Sequence, residues 1–132
     1  MSAVSFINWL PFRKAKRYTF INVAFLAPKS EISYRYYDEN NKLCKETIHF
    51  QHIRALEWRT EKACTIWHLE NTYDTLCEVS ESNWLKKINQ DTDEFWRDKW
   101  EMRHFMIYLE DIGCLEILAE NWLHRIEDIQ NE

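Results

Sequence analysis

The chain has 132 residues, 15% of them aromatic, with seven Trp, one Gly, two Pro and a formal net charge of −5. That length is one domain's worth and closes an apolar core without a metal or a disulfide, and the aromatic content excludes a disordered chain. One Gly leaves no room for a glycine-cradled phosphate site, neither G-x-G-x-x-G nor a Walker-type loop occurs, and no apolar run approaches the ~18 residues of a membrane span.

In chain order, residues 1–17 are an apolar lead-in broken by Pro11, followed by the basic cluster Arg13, Lys14, Lys16 and Arg17. The apolar part precedes the charges, the reverse of a secretory leader, so the expected setting is cytoplasmic and residues 1–17 are expected to pack loosely. Tyr18–Ala27 reads as a strand with both faces apolar, hence an interior strand. Residues 32–37 and 43–50 read as a hairpin across the turn Asp38–Glu39–Asn40–Asn41. Ile32, Tyr34 and Tyr36 share one face of it, and so do Cys44, Ile48 and Phe50. Residues 53–59 fit a strand or a helical turn. Residues 65–69 and 75–79 read as short strands.

Ser80–Glu81–Ser82 reads as a helix start, with a serine accepting from unpaired N–H groups, and Trp84, Leu85 and Ile88 give that helix its apolar stripe. Asp91 with Glu94 three residues later suggests a second helix start, with Phe95, Trp96 and Trp100 on or near one side. His104–Leu109, the turn Glu110–Gly113 and Cys114–Ala119 form a hairpin around the one glycine, which supplies the positive φ of such turns. Trp122, Leu123, Ile126 and Ile129 sit at helical spacing, so a final helix is expected. The expected fold is therefore one α+β domain over residues 1–132, an antiparallel sheet with two or three short helices. Trp58, Trp84, Phe105 and Ile107 are its expected core.

The residues that carry chemistry are sparse. The five histidines lack metal-ligand spacing, so neither metal nor cofactor is expected. The cysteines Cys44, Cys64, Cys77 and Cys114 lack a C-x-x-C pair and read as free thiols. No G-x-S-x-G elbow occurs, and the expectation is a protein that is not an enzyme. The alternative is a small enzyme or ligand-binding domain. It would use His104 and Cys114 facing each other across the hairpin, with Glu110 or Glu116 as the acid.

Charge is placed unevenly. Residues 1–62 hold 11 Lys/Arg against 6 Asp/Glu, whereas residues 63–132 hold 6 against 16. An acidic half is either a solvated face or a surface that meets a basic partner. If the latter, carboxylates on turns and element ends reach outward furthest. These are Asp74, Asp91, Asp93, Glu94, Glu110 and Asp111, with the adjacent pair Glu110 and Asp111 foremost. The alternative for the basic cluster at 13–17 is contact with nucleic acid or an anionic surface, the reading of a phage-type inhibitor of a nucleic-acid-binding protein.

Residues 73–122 resemble a family of small bacterial immunity proteins. The likeness lies in a strand leading into Ser82–Asn83–Trp84–Leu85, then His104-Phe105-x-Ile107-Tyr108-x-x-Asp111-x-Gly113-x-x-Glu116-Ile117-Leu118-Ala119-Glu120, with Arg54–Trp58 upstream. The resemblance covers about half the chain and carries no catalytic motif. It implies an immunity protein, an antitoxin of contact-dependent growth inhibition or a related polymorphic toxin system. Such a protein binds one toxin domain, often a basic nuclease, at 1:1 and blocks it without touching nucleic acid itself.

Overall fold

Gly113 sets the centre of the fold. The computed structural model describes residues 3–5, 20–26, 29–70, 72–73, 75–109 and 112–129. Strands β7 (Arg103–Leu109) and β8 (Gly113–Ala119) pair from Leu109↔Gly113 to Arg103↔Ala119, as the turn chemistry predicts. Gly113 has φ +113°, and a Cβ on it would lie 2.0 Å from the carbonyl oxygen of Arg59. The glycine therefore serves the turn and also lets strand β5 (Ala55–Arg59) approach β8.

Two antiparallel sheets are built around this hairpin. One contains β1 (Ala3–Ser5), β6 (Cys77–Val79), β7, β8 and β5 in the order β1-β6-β7-β8-β5. The other contains β2 (Phe20–Leu26), β3 (Lys29–Tyr37), β4 (Leu43–Gln51) and β9 (Asn121–Asp128) in the order β2-β3-β4-β9. Helices α1 (Ile66–Glu70), α2 (Asn83–Asp91) and α3 (Glu94–Arg97) complete the α+β domain. No described helix is long and apolar enough to cross a membrane.

Alternation along the strands decides what meets what. Phe105, Ile107 and Leu109 of β7 and Leu115, Ile117 and Ala119 of β8 form one buried cluster with Ile32, Tyr34 and Tyr36 of β3 and Cys44, Ile48 and Phe50 of β4. Each Leu, Ile or Phe side chain among them contributes roughly 1.5–3 kcal/mol when fully withdrawn from water. The opposite face of the first sheet carries Val79, Met106, Tyr108 and Cys114, with Cys64 and Trp67 packed against them. With both faces covered, β7 and β8 are buried almost throughout rather than at every second residue.

A bent ribbon joins the sheets. β4 runs on into β5 and β8 into β9, so the pairing Gln51↔Asn121 in one sheet gives way to Ala55↔Leu118 in the other. At the corner the Glu120 N–H donates to the Gln51 carbonyl (3.0 Å) and the Arg54 N–H to the Leu118 carbonyl (2.8 Å). His52 takes φ +53° there, which turns the chain sharply.

Several elements differ from the sequence expectations. β2 stands at an end of its sheet among the described residues rather than inside it. Residues 66–70 are helical, not a strand. Residues 53–59 resolve to strand β5. The second helix start is capped by Asp93, whose Oδ1 accepts from the Phe95 N–H (2.9 Å), and not by Asp91. The expected last helix is strand β9, because ladder pairing with β4 from Cys44↔Asp128 to Gln51↔Asn121 outweighs a helical spacing of four apolar residues. Phe105 and Ile107 are core, but Trp58, on the outer strand β5, is 57% exposed and donates its indole N–H to the Ile112 carbonyl. Residues 6–19, with the basic cluster, lie outside the described residues.

Candidate functional site

The face of the first sheet opposite the main core carries an unusual set of polar groups. His104 lies on β7 and Glu116 on β8, and pairing of His104 with Leu118 and of Met106 with Glu116 makes the two diagonal neighbours. The His104 Nε2 is 2.9 Å from the Glu116 Oε1. Ser82 comes from the other side. β6 ends at Val79, the chain turns through Ser80 and Glu81, and Ser82 caps α2 by accepting from the Leu85 N–H at 3.0 Å. Glu81 has φ +53°, a left-handed conformation that costs a non-glycine residue. The turn brings the Ser82 Oγ to 2.6 Å from the His104 Nδ1.

The hydrogen bonds assign the tautomer. The Glu116 carboxylate can only accept, so the proton of the neutral imidazole is on Nε2, and Nδ1 accepts from the Ser82 O–H. The edge of Trp84 packs on the imidazole with ring centroids 5.1 Å apart. Ser82, His104 and Glu116 are all buried, at 4%, 2% and 5% exposure. They are nonetheless fully partnered, as buried polar groups must be.

Glu116 has a second histidine beside it. The His68 Nε2 is 4.0 Å from its Oε2, and the His68 Nδ1 accepts from the Thr65 N–H at 2.9 Å. Burial holds His68 below the ordinary histidine value, against the raising pull of Glu116. Cys114, by contrast, pairs with Tyr108 and sits in an apolar cluster. Burial, with Glu116 adding to it, pushes its thiol well above the usual cysteine range. The expected facing of His104 and Cys114 is therefore wrong. His104 and Glu116 do meet, and the hydroxyl that joins them is that of Ser82, which the sequence marks only as a helix cap.

A cavity of about 750 Å³ reaches Ser82 and His104, with Glu116 behind them outside its lining. Its walls carry Glu81, Glu101 and Glu120 against Lys86, while a further pair, Arg103 and Glu78, neutralise each other at 2.8 Å. The four cysteines are free, and no group of three metal-ligating side chains occurs among the described residues.

No protein-family model matches this chain, and comparison with curated proteins and with solved structures gives no match either.

The candidate partner-binding acids separate into two groups. Asp74, Glu110 and Asp111 lie outside the described residues. Asp91, Asp93 and Glu94 are brought together where α2 ends and α3 begins, and Asp91, Asp93 and Glu94 are exposed. Directly after them Phe95 is 67% and Trp96 48% exposed. These two rings meet edge to face at 5.1 Å, and the Lys99 ammonium lies 5.0 Å from the Trp96 ring and 5.1 Å from that of Trp100. The segment is tied down at the corner of the fold. The Arg54 guanidinium donates to the Asn89 Oδ1 (3.0 Å) and to the Trp96 carbonyl, and His52 stacks on Trp100 at 4.0 Å.

Proposed function

We propose that the chain is an immunity-type inhibitor that binds a basic toxin domain at 1:1 and occludes it, and that the segment from Asp91 to Trp100 is central to the contact. The observation that carries this reading is the exposed Phe95 and Trp96 standing beside Asp91, Asp93 and Glu94. Truncating a central aromatic anchor costs an interface about 2 kcal/mol or more, and Trp is the residue type most enriched at such anchors. Carboxylates around it steer a basic partner and reject acidic ones. The ties from Arg54 and His52 hold the segment in one arrangement before binding, which lowers the ordering cost of association. The acidic balance of residues 63–132 and the resemblance of residues 73–122 agree with the reading.

The test is co-expression with the product of the neighbouring reading frame, followed by affinity capture. Phe95→Ala with Trp96→Ala should weaken the complex at least about 30-fold, the equivalent of roughly 2 kcal/mol. Asp91→Lys, Asp93→Asn and Glu94→Lys together keep the α3 cap while reversing or removing charge, and should slow association and flatten its salt dependence. Wild-type protection by both variants would place the contact elsewhere.

A further inference from the structure

We infer that Ser82, His104 and Glu116 form an acyl-transfer site, and that the cavity reaching Ser82 and His104 takes a carboxylic ester bearing a positive charge. This goes beyond inhibitor binding and departs from the expectation of a chain without catalysis.

Three independent features meet at Ser82. The first is the relay itself, hydroxyl to imidazole at 2.6 Å and imidazole to carboxylate at 2.9 Å. That is the constellation in which a base takes the nucleophile's proton and an acid fixes the tautomer and stabilises the imidazolium. The two ring nitrogens are exchanged relative to the usual serine triad, with Nδ1 on the hydroxyl and Nε2 on the carboxylate. The second is the turn. Ser82 stands where a strand passes through a strained left-handed residue, Glu81, into a helix of nine residues. The turn sets the Ser82 hydroxyl at the head of the helix, against the β7 strand that carries His104. The third is the cavity, whose lining includes both Ser82 and His104.

The helix start holds the hydroxyl in place, because the Leu85 N–H donates to the Ser82 Oγ at 3.0 Å. The walls set the substrate class. Glu81 and Glu101 outnumber Lys86, Glu120 is bonded to His52 at 3.2 Å, and Arg103 is held by Glu78. An ester with an ammonium group on its acyl or alcohol part fits this balance, and an anionic ester does not.

The chemistry closes on water alone. The Ser82 Oγ bonds to the ester carbon while its proton passes to the His104 Nδ1 and the carbonyl electron pair moves onto oxygen. Collapse expels the alkoxide, which takes the proton from His104 and leaves as the alcohol. Water then attacks the acyl-serine, giving its proton to His104. The acid departs and Ser82 recovers its hydrogen.

The experiment treats the purified full-length chain, without any partner, with a fluorophosphonate carrying a trimethylammonium tail and with its neutral counterpart. Intact-mass and peptide analysis should find one adduct, on Ser82, formed faster with the cationic probe. Glu116→Gln, which keeps size and a hydrogen-bond acceptor, should melt near wild type yet label roughly 10²–10⁴-fold more slowly, the scale of acid–base assistance. Peptide mapping on wild type and the Glu116→Gln rate decide the matter even if Ser82→Ala fails to fold. An unlabelled Ser82 in folded protein, an adduct on another residue, or an unchanged Glu116→Gln rate overturns the inference. None of these outcomes depends on toxin binding, so the inhibitor reading stands or falls separately.

Discussion

Replacing Gly113 with Ala should be among the most damaging single-methyl additions in the chain. Two costs add. An L-residue at φ +113° is strained by roughly 1–3 kcal/mol. The new methyl would also lie 2.0 Å from the Arg59 carbonyl oxygen, with the Arg59 carbonyl carbon and the Thr60 Cα each at 3.0 Å. All three are backbone atoms, so no side chain can swing aside. Strand β5 must move, and each ladder hydrogen bond it loses to β8 costs about 0.5–1.5 kcal/mol. The expected loss in urea unfolding is on the order of 3 kcal/mol, with Trp58 fluorescence changing because its N–H sits on Ile112, one residue before the glycine. A loss below about 0.5 kcal/mol for Ala would refute the packing argument altogether.

Two further outcomes follow from buried groups. His68 is held below its ordinary value of 6.5, so below that pH the unfolded chain takes up a proton that the folded chain refuses. This contribution to stability is complete above 6.5 and is lost as pH falls from there toward the folded value, at up to about 1.4 kcal/mol per pH unit; urea melts of wild type and His68→Gln between pH 7.5 and 5.5 should show a shallower decline in the variant, and parallel declines would sink the idea. Cys114 is buried with its thiol pushed up while Cys64 is only half-buried, so iodoacetamide should modify Cys64 first, and early alkylation of Cys114 would show the apolar cluster around it to be open.

Much of the fold was legible because turn chemistry and alternation agree locally. One glycine between two bulky runs located the β7–β8 hairpin, and Asp38–Asn41 located β3–β4, with the buried faces of both β3 and β4 read correctly. The errors came where two periodicities fit the same residues. Trp122, His124 and Ile126 alternate as a strand while Trp122, Leu123, Ile126 and Ile129 repeat as a helix, and only the distant partner β4 decides. The site was half legible for a similar reason. The turn that pairs Leu109 with Gly113 fixes the register, and the register alone separates His104 from Cys114 while setting it diagonal to Glu116. Ser82 arrives from a strand that the hairpin says nothing about. A serine heading a helix is common enough that nothing in the local sequence distinguishes a cap from a nucleophile.

The bent ribbon also has a consequence for how the chain acquires its structure. β4 and β5 find their partners in β9 and β8, and the outermost pairing joins Cys44 to Asp128. During synthesis, which runs N-terminal first, the β3–β4 hairpin emerges with its own ladder, but the free edge of β4 waits until almost all of the described chain has left the ribosome. Pairing this distant in sequence is slow to close, and Tyr34, Ile48 and Phe50 remain without their covering sheet meanwhile. A pulse of hydrogen exchange during refolding should therefore protect the β3–β4 ladder well before the β4–β9 ladder, and a chaperone should engage the chain in that interval.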